Sequence, residues 1–371
     1  MVVAAASLLA LGVGAGPAHA AYPRPSKICA ACHGTIQKAW SASVKSKTWS
    51  NPVFQAFLAD AQAAKGDQIR MFCISCHAPQ AAVTGDLAVD DQVEQEGVTC
   101  NFCHNVSAVE VSARPASYTH DPSNPNLMRG PYKDADPGSA HDFEFSETMT
   151  KGDFCSACHW AKNDKGVEFE GTYPQWKASK ASASGRQCQN CHMPPTPGKA
   201  SPISKKQRDA VYAHTFFGPR VPGGLDSLVT LATEMVSGKL KITVTNARAG
   251  HALPGGARSM RAITLEVVWS DAAGKELSRT AVDTYGTEFA DSAGNSPVPK
   301  WLAVSVKRSN EIPADSSVVE WAAPAAGAKR AEAVLTYHPI LPAYRAKLAA
   351  RNVDLTGRDP VVLARTSVRL P

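Results

Sequence analysis

The sequence predicts an α+β chain in two parts: a loop-rich, mainly helical module over residues 21–224 and an antiparallel, immunoglobulin-like β-sandwich over residues 225–371. Three observations predict it. All ten cysteines lie between Cys29 and Cys191, in five repeats of one spacing. No cysteine follows, and from Lys239 onward apolar and polar residues alternate as they do in half-buried strands. The chain also opens on an apolar run, Val2 to Gly16, that closes on Ala18-His19-Ala20.

That opening run reads as an export signal over residues 1–20. It is too short for a membrane span and ends in a small-residue cleavage site. It has no basic stretch ahead of the apolar run, which implies a translation start a few codons upstream. No other stretch approaches the roughly 18 apolar residues of a membrane helix, so a mature protein without a membrane span, periplasmic or extracellular, is expected.

The five repeats are Cys29-x-x-Cys32-His33, Cys73-x-x-Cys76-His77, Cys100-x-x-Cys103-His104, Cys155-x-x-Cys158-His159 and Cys188-x-x-Cys191-His192. Every cysteine is used, and every pair is followed by histidine. Two thiols at this spacing add across the vinyl groups of a haem, and the next residue lies under the iron as its proximal ligand. Zinc ribbons pair two such units per metal, which leaves one of five over and the histidines unexplained. A disulfide framework gives no reason for the histidine, and thioredoxin-like redox sites use one motif rather than five. The expected cofactor is therefore five covalent haems c, with His33, His77, His104, His159 and His192 as proximal ligands.

Such a module has little protein core, because porphyrins supply its apolar surface. Short helices around the motifs are expected, including Val53 to Ala64, joined by Gly/Pro-rich loops such as Asp121 to Gly138. Eleven histidines are present. Five stand in motifs and His19 in the signal, which leaves His120, His141, His214, His251 and His338 as distal candidates for five irons. Met193 follows the fifth motif directly and is expected to pack against porphyrin, not to ligate.

A formal charge of +6 ordinarily suggests an anionic partner. Each haem brings two propionates against one net positive charge on ferric porphyrin, so five oxidised haems subtract about five charges and five reduced ones about ten. The scattered Lys and Arg are thus expected to pair with propionates, and no basic run marks a nucleic-acid face.

In the cysteine-free half, the runs starting at Leu240, Ile263, Trp301, Val318, Ala333 and Ala364 alternate as strands. Turns fall at Asp271–Gly274 and Asp291–Gly294, and a helix is expected near Ala343 to Ala350. No catalytic constellation appears there; the expected roles are shielding haem edges or offering a docking surface.

Several phrases around the motifs resemble the multihaem cytochrome c-554 family. They are Trp40-x-x-Ser43 after the first motif, Ala78-Pro79 after the second and Gly97-Val98-Thr99 before the third. Gly130-Pro131 ahead of His141 and Met193-Pro194 after the fifth motif complete the set. The similarity spans roughly residues 22–220. Gly250-His251-Ala252-Leu253-Pro254 is similar to the turn with which some of that group enter a β-sandwich. The resemblance implies haems in close pairs, mostly with two histidine ligands, that pass electrons between redox partners such as other cytochromes or membrane quinol-oxidising complexes. Self-assembly is also implied, since related tetrahaem proteins polymerise into extracellular filaments. The chain departs from the family in carrying five motifs where the type member has four. It also has Lys45 where related chains place a distal histidine, two residues after the serine of Trp-x-x-Ser. The departure leaves one iron with Lys45, a ligand from elsewhere or nothing; because an amine binds iron only when neutral, Lys45 is expected to be a propionate partner or a surface charge, with that haem ligated by a spare histidine or a residue of a neighbouring subunit.

Two functions follow. One is an electron carrier or unit of a conducting assembly, favoured by five spare histidines for five irons. The other is a reductase or oxidase of small nitrogen or sulfur oxyanions at an iron with an open position, kept in view by Lys45.

Overall fold

The computed structural model describes residues 22–371. The export signal expected over residues 1–20 lies outside the described residues. Among the described residues no helix is long and apolar enough to cross a membrane.

All five motifs lie on or at the start of short helices: Ala30–Ala42, Ile69–His77, Cys100–Asn105, Asp153–His159 and Cys188–His192. One helical turn places residues i, i+3 and i+4 on one face, so each pair of thiols and its histidine project together. Local chemistry starts some of these turns. Thr99 Oγ1 accepts from the Phe102 amide at 3.1 Å, and the Gln187 amide donates to Asn190 Oδ1 at 2.7 Å.

The helix expected from Val53 to Ala64 spans Pro52–Lys65. Asn51 Oδ1 caps it through the Val53 amide, proline occupies its first turn, and Gly66 at φ 79° ends it. The stretch Asp121 to Gly138, expected as loop, contains a short strand, Leu127–Gly130, paired in parallel with Asp142–Phe145. Arg129 fixes this pair from within, with its guanidinium buried against the Asn105 carbonyl at 2.9 Å. A charged residue in a Pro/Gly-rich run gives no alternating signal, so the strand was not visible in the sequence.

The sandwich has a three-stranded sheet ordered Ser317–Ala322, Lys239–Asn246, Val229–Val236. Facing it is a five-stranded sheet ordered Ser305–Ser309, Glu276–Ala290, Ala262–Ser270, Arg330–His338, Val361–Arg369. All these pairings are antiparallel. Leu240, Ile242 and Val244 from one sheet meet Ile263, Leu265, Val267 and Trp269 from the other, alternate residues buried as a two-residue period requires. Trp269 is fully buried and its indole N–H donates to Thr280 Oγ1 at 2.9 Å. Turns fall at the two expected Asp-to-Gly sequences, where Gly274 and Gly294 take left-handed φ values. The strand expected from Trp301 begins instead at Ser305; Trp301 packs its ring against Phe57, 5.7 Å between centres.

The two parts share packing. Phe289, Val298 and Ala303 of the sandwich cluster with Ala161, Val167 and Phe169. Ile340, Tyr344 and Leu348 close over Val53 and Ala56. The sandwich thus has its own core, and its lower edge is also a wall of the helical module.

Candidate haem sites

No two of the ten cysteines are joined in a disulfide, so no disulfide framework holds the module. The thiols meet across motifs instead. Cys29 lies beside Cys100 and Cys155 beside Cys188, each partner lowering the first thiol's pKa, and Cys76 lies beside Cys158 in the same way. Motif one therefore abuts motif three, and motif four lies between motifs two and five. Cys103 of motif three also acts electrostatically on both Cys155 and Cys158. Gly152 permits part of this approach, because a Cβ there would come within 3.0 Å of Cys188 Sγ.

The motif histidines are oriented by their neighbours. Nδ1 of His33 lies 2.8 Å from the Ala200 carbonyl, that of His77 3.2 Å from Thr48, that of His104 2.6 Å from Arg129 and that of His192 2.6 Å from Phe217. A carbonyl only accepts, so Nδ1 carries the proton and Nε2 keeps its lone pair for a metal. His159 differs: its Nδ1 faces the Glu170 carboxylate at 4.0 Å. Glu170 Oε2 is buried with no hydrogen-bond partner, and burial raises this carboxyl to about 7.

The distal candidates divide. Nδ1 of His141 pairs with the Asp142 carbonyl at 2.9 Å, that of His214 with Tyr212 at 2.9 Å and that of His251 with Ala252 at 2.8 Å, again leaving Nε2 free. His214 faces His104 with ring centres 6.3 Å apart and planes 21° from parallel. His251 faces His192 at 6.3 Å and 13°. Two imidazoles bound on opposite sides of one metal ion, each through a bond of about 2 Å and with about 1.1 Å from nitrogen to ring centre, have ring centres about 6 Å apart. Both pairs fit an iron between them. His251 is held by its turn: Asn246 Nδ2 donates to its carbonyl at 2.9 Å, and a Cβ at Gly255 would strike the imidazole at 2.5 Å.

His120 is enclosed by Tyr22 and Phe102, with ring centres 4.8 and 5.5 Å away, and both of its ring nitrogens are buried without a partner. His338 sits in the sandwich sheet, its Nε2 held by Thr264 Oγ1 at 3.0 Å. Burial drives His77 and His159 down to about 3, and His120, His214 and His251 down to about 4. These rings are neutral at physiological pH, as a ligand must be. Paired cysteines beside imidazoles suit covalent haem at each motif, and at all but the fourth a backbone carbonyl anchors Nδ1.

Lys45 is half-buried rather than on the open surface. Its ammonium lies 5.7 Å from the Phe216 ring centre. Phe54, which carried no signal of its own, stacks flat on His77 with centres 3.8 Å apart.

Residues 28–105 match the family model described as cytochrome c554 and c-prime. No curated protein matches the chain. Among solved structures it is similar to a penta-haem cytochrome c552 from Thermochromatium tepidum, with a TM-score of 0.73 and 22% identity, covering 94% of this chain and 99% of that one. The two share a fold over nearly their whole length. A superoxide reductase in the oxidised state also matches, at 9% identity and a TM-score of 0.18, over 39% of this chain and 87% of that one.

Proposed function

We propose that this chain, a c554-like multihaem cytochrome, is an electron conduit outside the cytoplasm that takes electrons from one redox protein and delivers them to another. The observation that carries the reading is the proximity of attachment thiols across motifs. A thioether lies at the porphyrin edge, so thiols side by side bring the edges of neighbouring haems together. When bound, haem supplies a one-electron couple at its iron. The chain's own residues keep that couple simple. The motif histidines and the facing imidazoles of His214 and His251 close both sides of two irons, and His120 and His141 are the candidates for two more. Two histidine ligands favour low potentials and leave no position for a substrate.

The alternative, turnover of a small nitrogen or sulfur oxyanion, needs an open iron with proton donors beside it. The favoured donors and acceptors are other cytochromes or membrane quinol-oxidising complexes. The apolar opening read as an export signal in the sequence and the five haem-attachment motifs support a periplasmic or extracellular place.

A spectroelectrochemical titration of the matured holoprotein, followed by mixing the reduced form with nitrite, hydroxylamine or sulfite, tests the reading. The expected result is reversible uptake of five electrons, rapid oxidation by a cytochrome, and no oxidation by the small molecules beyond the slow background. Fast catalytic oxidation by any one of them would replace the conduit with the enzyme.

A further inference from the structure

Four of the five motif histidines present Nδ1 to a backbone carbonyl, and the fourth in the chain does not. His33, His77, His104 and His192 point at the carbonyls of Ala200, Thr48, Arg129 and Phe217. Nδ1 of His159 instead faces Oε2 of Glu170 at 4.0 Å. That oxygen is buried and has no hydrogen-bond partner. An unpaired acid oxygen held away from water costs stability, so acids are seldom kept in such places without a task.

Glu170 is put there by a built hairpin. The helix Asp153–His159 gives way after Trp160 to a short strand, Ala161–Lys162, which pairs antiparallel with Glu168–Glu170. In that register Glu170 lies opposite Ala161, two residues past His159, so the hairpin returns an acid to the end of the helix that carries the fourth motif. Its turn is tied down. Asn163 Oδ1 accepts from the amides of Lys165 and Val167 at 3.0 Å each, and Asn163 Nδ2 donates to the carbonyls of Lys300 at 2.9 Å and Ala303 at 2.8 Å in the sandwich. Phe169, on the other face of the strand, is buried with Phe289, Val298 and Ala303.

The two acids of this strand share one face, as residues two apart do, but are used differently. Glu168 is fully engaged: Arg258 Nη1 lies 3.1 Å from its Oε1, and the Trp160 indole N–H donates to its Oε2 at 3.1 Å. Among the described residues, the basic group within ion-pair distance of Glu170 is His159.

We propose that Glu170 is the positioning residue of the fourth haem: its carboxylate accepts the His159 Nδ1 hydrogen bond that a backbone carbonyl accepts at the other four motifs, and so lowers that haem's potential. The inference rests on the five-haem reading given above. A charge-assisted bond of this kind measures about 2.8 Å, so rotation of the two side chains has about 1.2 Å to close. A carboxylate holds the shared proton more strongly than a carbonyl does, which makes the imidazole a better donor to iron and favours the ferric state. The proton stays between the two groups, and no electron changes hands. An electron then spends less time on the junction haem than it would beside a fifth carbonyl.

The test uses matured full-length protein with Glu170→Gln, Glu170→Asp and, as a control, Glu168→Gln, titrated spectroelectrochemically at alkaline pH, where the Glu170 carboxyl is ionised. Glutamine keeps the size and an acceptor oxygen and removes the charge. Intact mass is measured in parallel, so that a wild type lacking the fourth haem, which would fault the five-haem reading, is distinguished from a haem whose potential does not move. The expected result is that one-fifth of the haem absorbance titrates at higher potential in Glu170→Gln and moves less in Glu170→Asp, while the other four-fifths and the whole Glu168→Gln curve match the wild type. Adding Glu170→Gln to a chain that lacks the fourth haem through Cys155→Ala with Cys158→Ala should shift nothing. If Glu170→Gln fails to mature, Glu170→Asp carries the same comparison. An unchanged curve with five haems attached, a shift shared by all the haems, or an equal shift in Glu168→Gln would overturn the assignment.

Discussion

Replacing His251 with alanine is expected to turn one iron in five from low spin to high spin while all five haems stay attached. His251 comes from the sandwich and His192 from the fifth motif, yet their rings face each other at 6.3 Å with planes 13° apart. The imidazole is held by the Ala252 carbonyl on Nδ1 and by the close approach of Gly255, while Asn246 ties down the backbone carbonyl of the same residue. An alanine leaves the fifth iron with His192 alone. A small ligand such as cyanide then binds one equivalent of iron, and the potential of that haem changes because its axial set has changed. The variant also loses a tie between the two parts of the chain, so its thermal transition falls. The check is electron paramagnetic resonance with intact mass; an unaltered spin count would mean that the fifth iron draws its second ligand from elsewhere.

The double change Cys155→Ala with Cys158→Ala is expected to remove one haem and break the conduit at its centre. Cys158 lies beside Cys76, and Cys155 beside Cys188, so the fourth motif joins the second to the fifth. Its loss leaves four haems in separated groups, and reduction of the holoprotein by a one-electron donor splits into a fast and a slow phase. Cys29→Ala with Cys32→Ala is the control. That motif adjoins only motif three among the thiol pairs. It should also leave four haems, yet reduction should stay in a single phase. Stopped-flow absorbance distinguishes the two variants, and a single phase in both would show that the fourth motif is no junction.

The five attachment sites were legible because haem chemistry fixes the order of three residues within five positions and leaves no freedom to the fold. The tight seat of the His251 ring was legible for a related reason. A histidine set between glycines, Gly250 and Gly255, marks a ring pressed against backbone. His214 is set by a partner 110 residues away, and its pairing with His104 appears only once the chain is folded. The sandwich strands that alternate were visible, whereas Val229–Val236 was missed because threonine and glutamate break its apolar run. Glu276–Ala290 was missed because its first half is exposed and carries no apolar face. Lys45 was expected to be a propionate partner or a surface charge because a lone amine in sequence is cheapest when solvated. Only the fold shows Trp40, Ser43 and Gly97 converging on that residue.

The intact mass of the matured wild-type chain tests the central claim, that every motif carries a haem. Five haem additions are expected, with peptide mapping placing one on each cysteine pair from Cys29/Cys32 to Cys188/Cys191. Four or fewer after expression with a full cytochrome maturation system, or any pair recovered as free thiols, would contradict it.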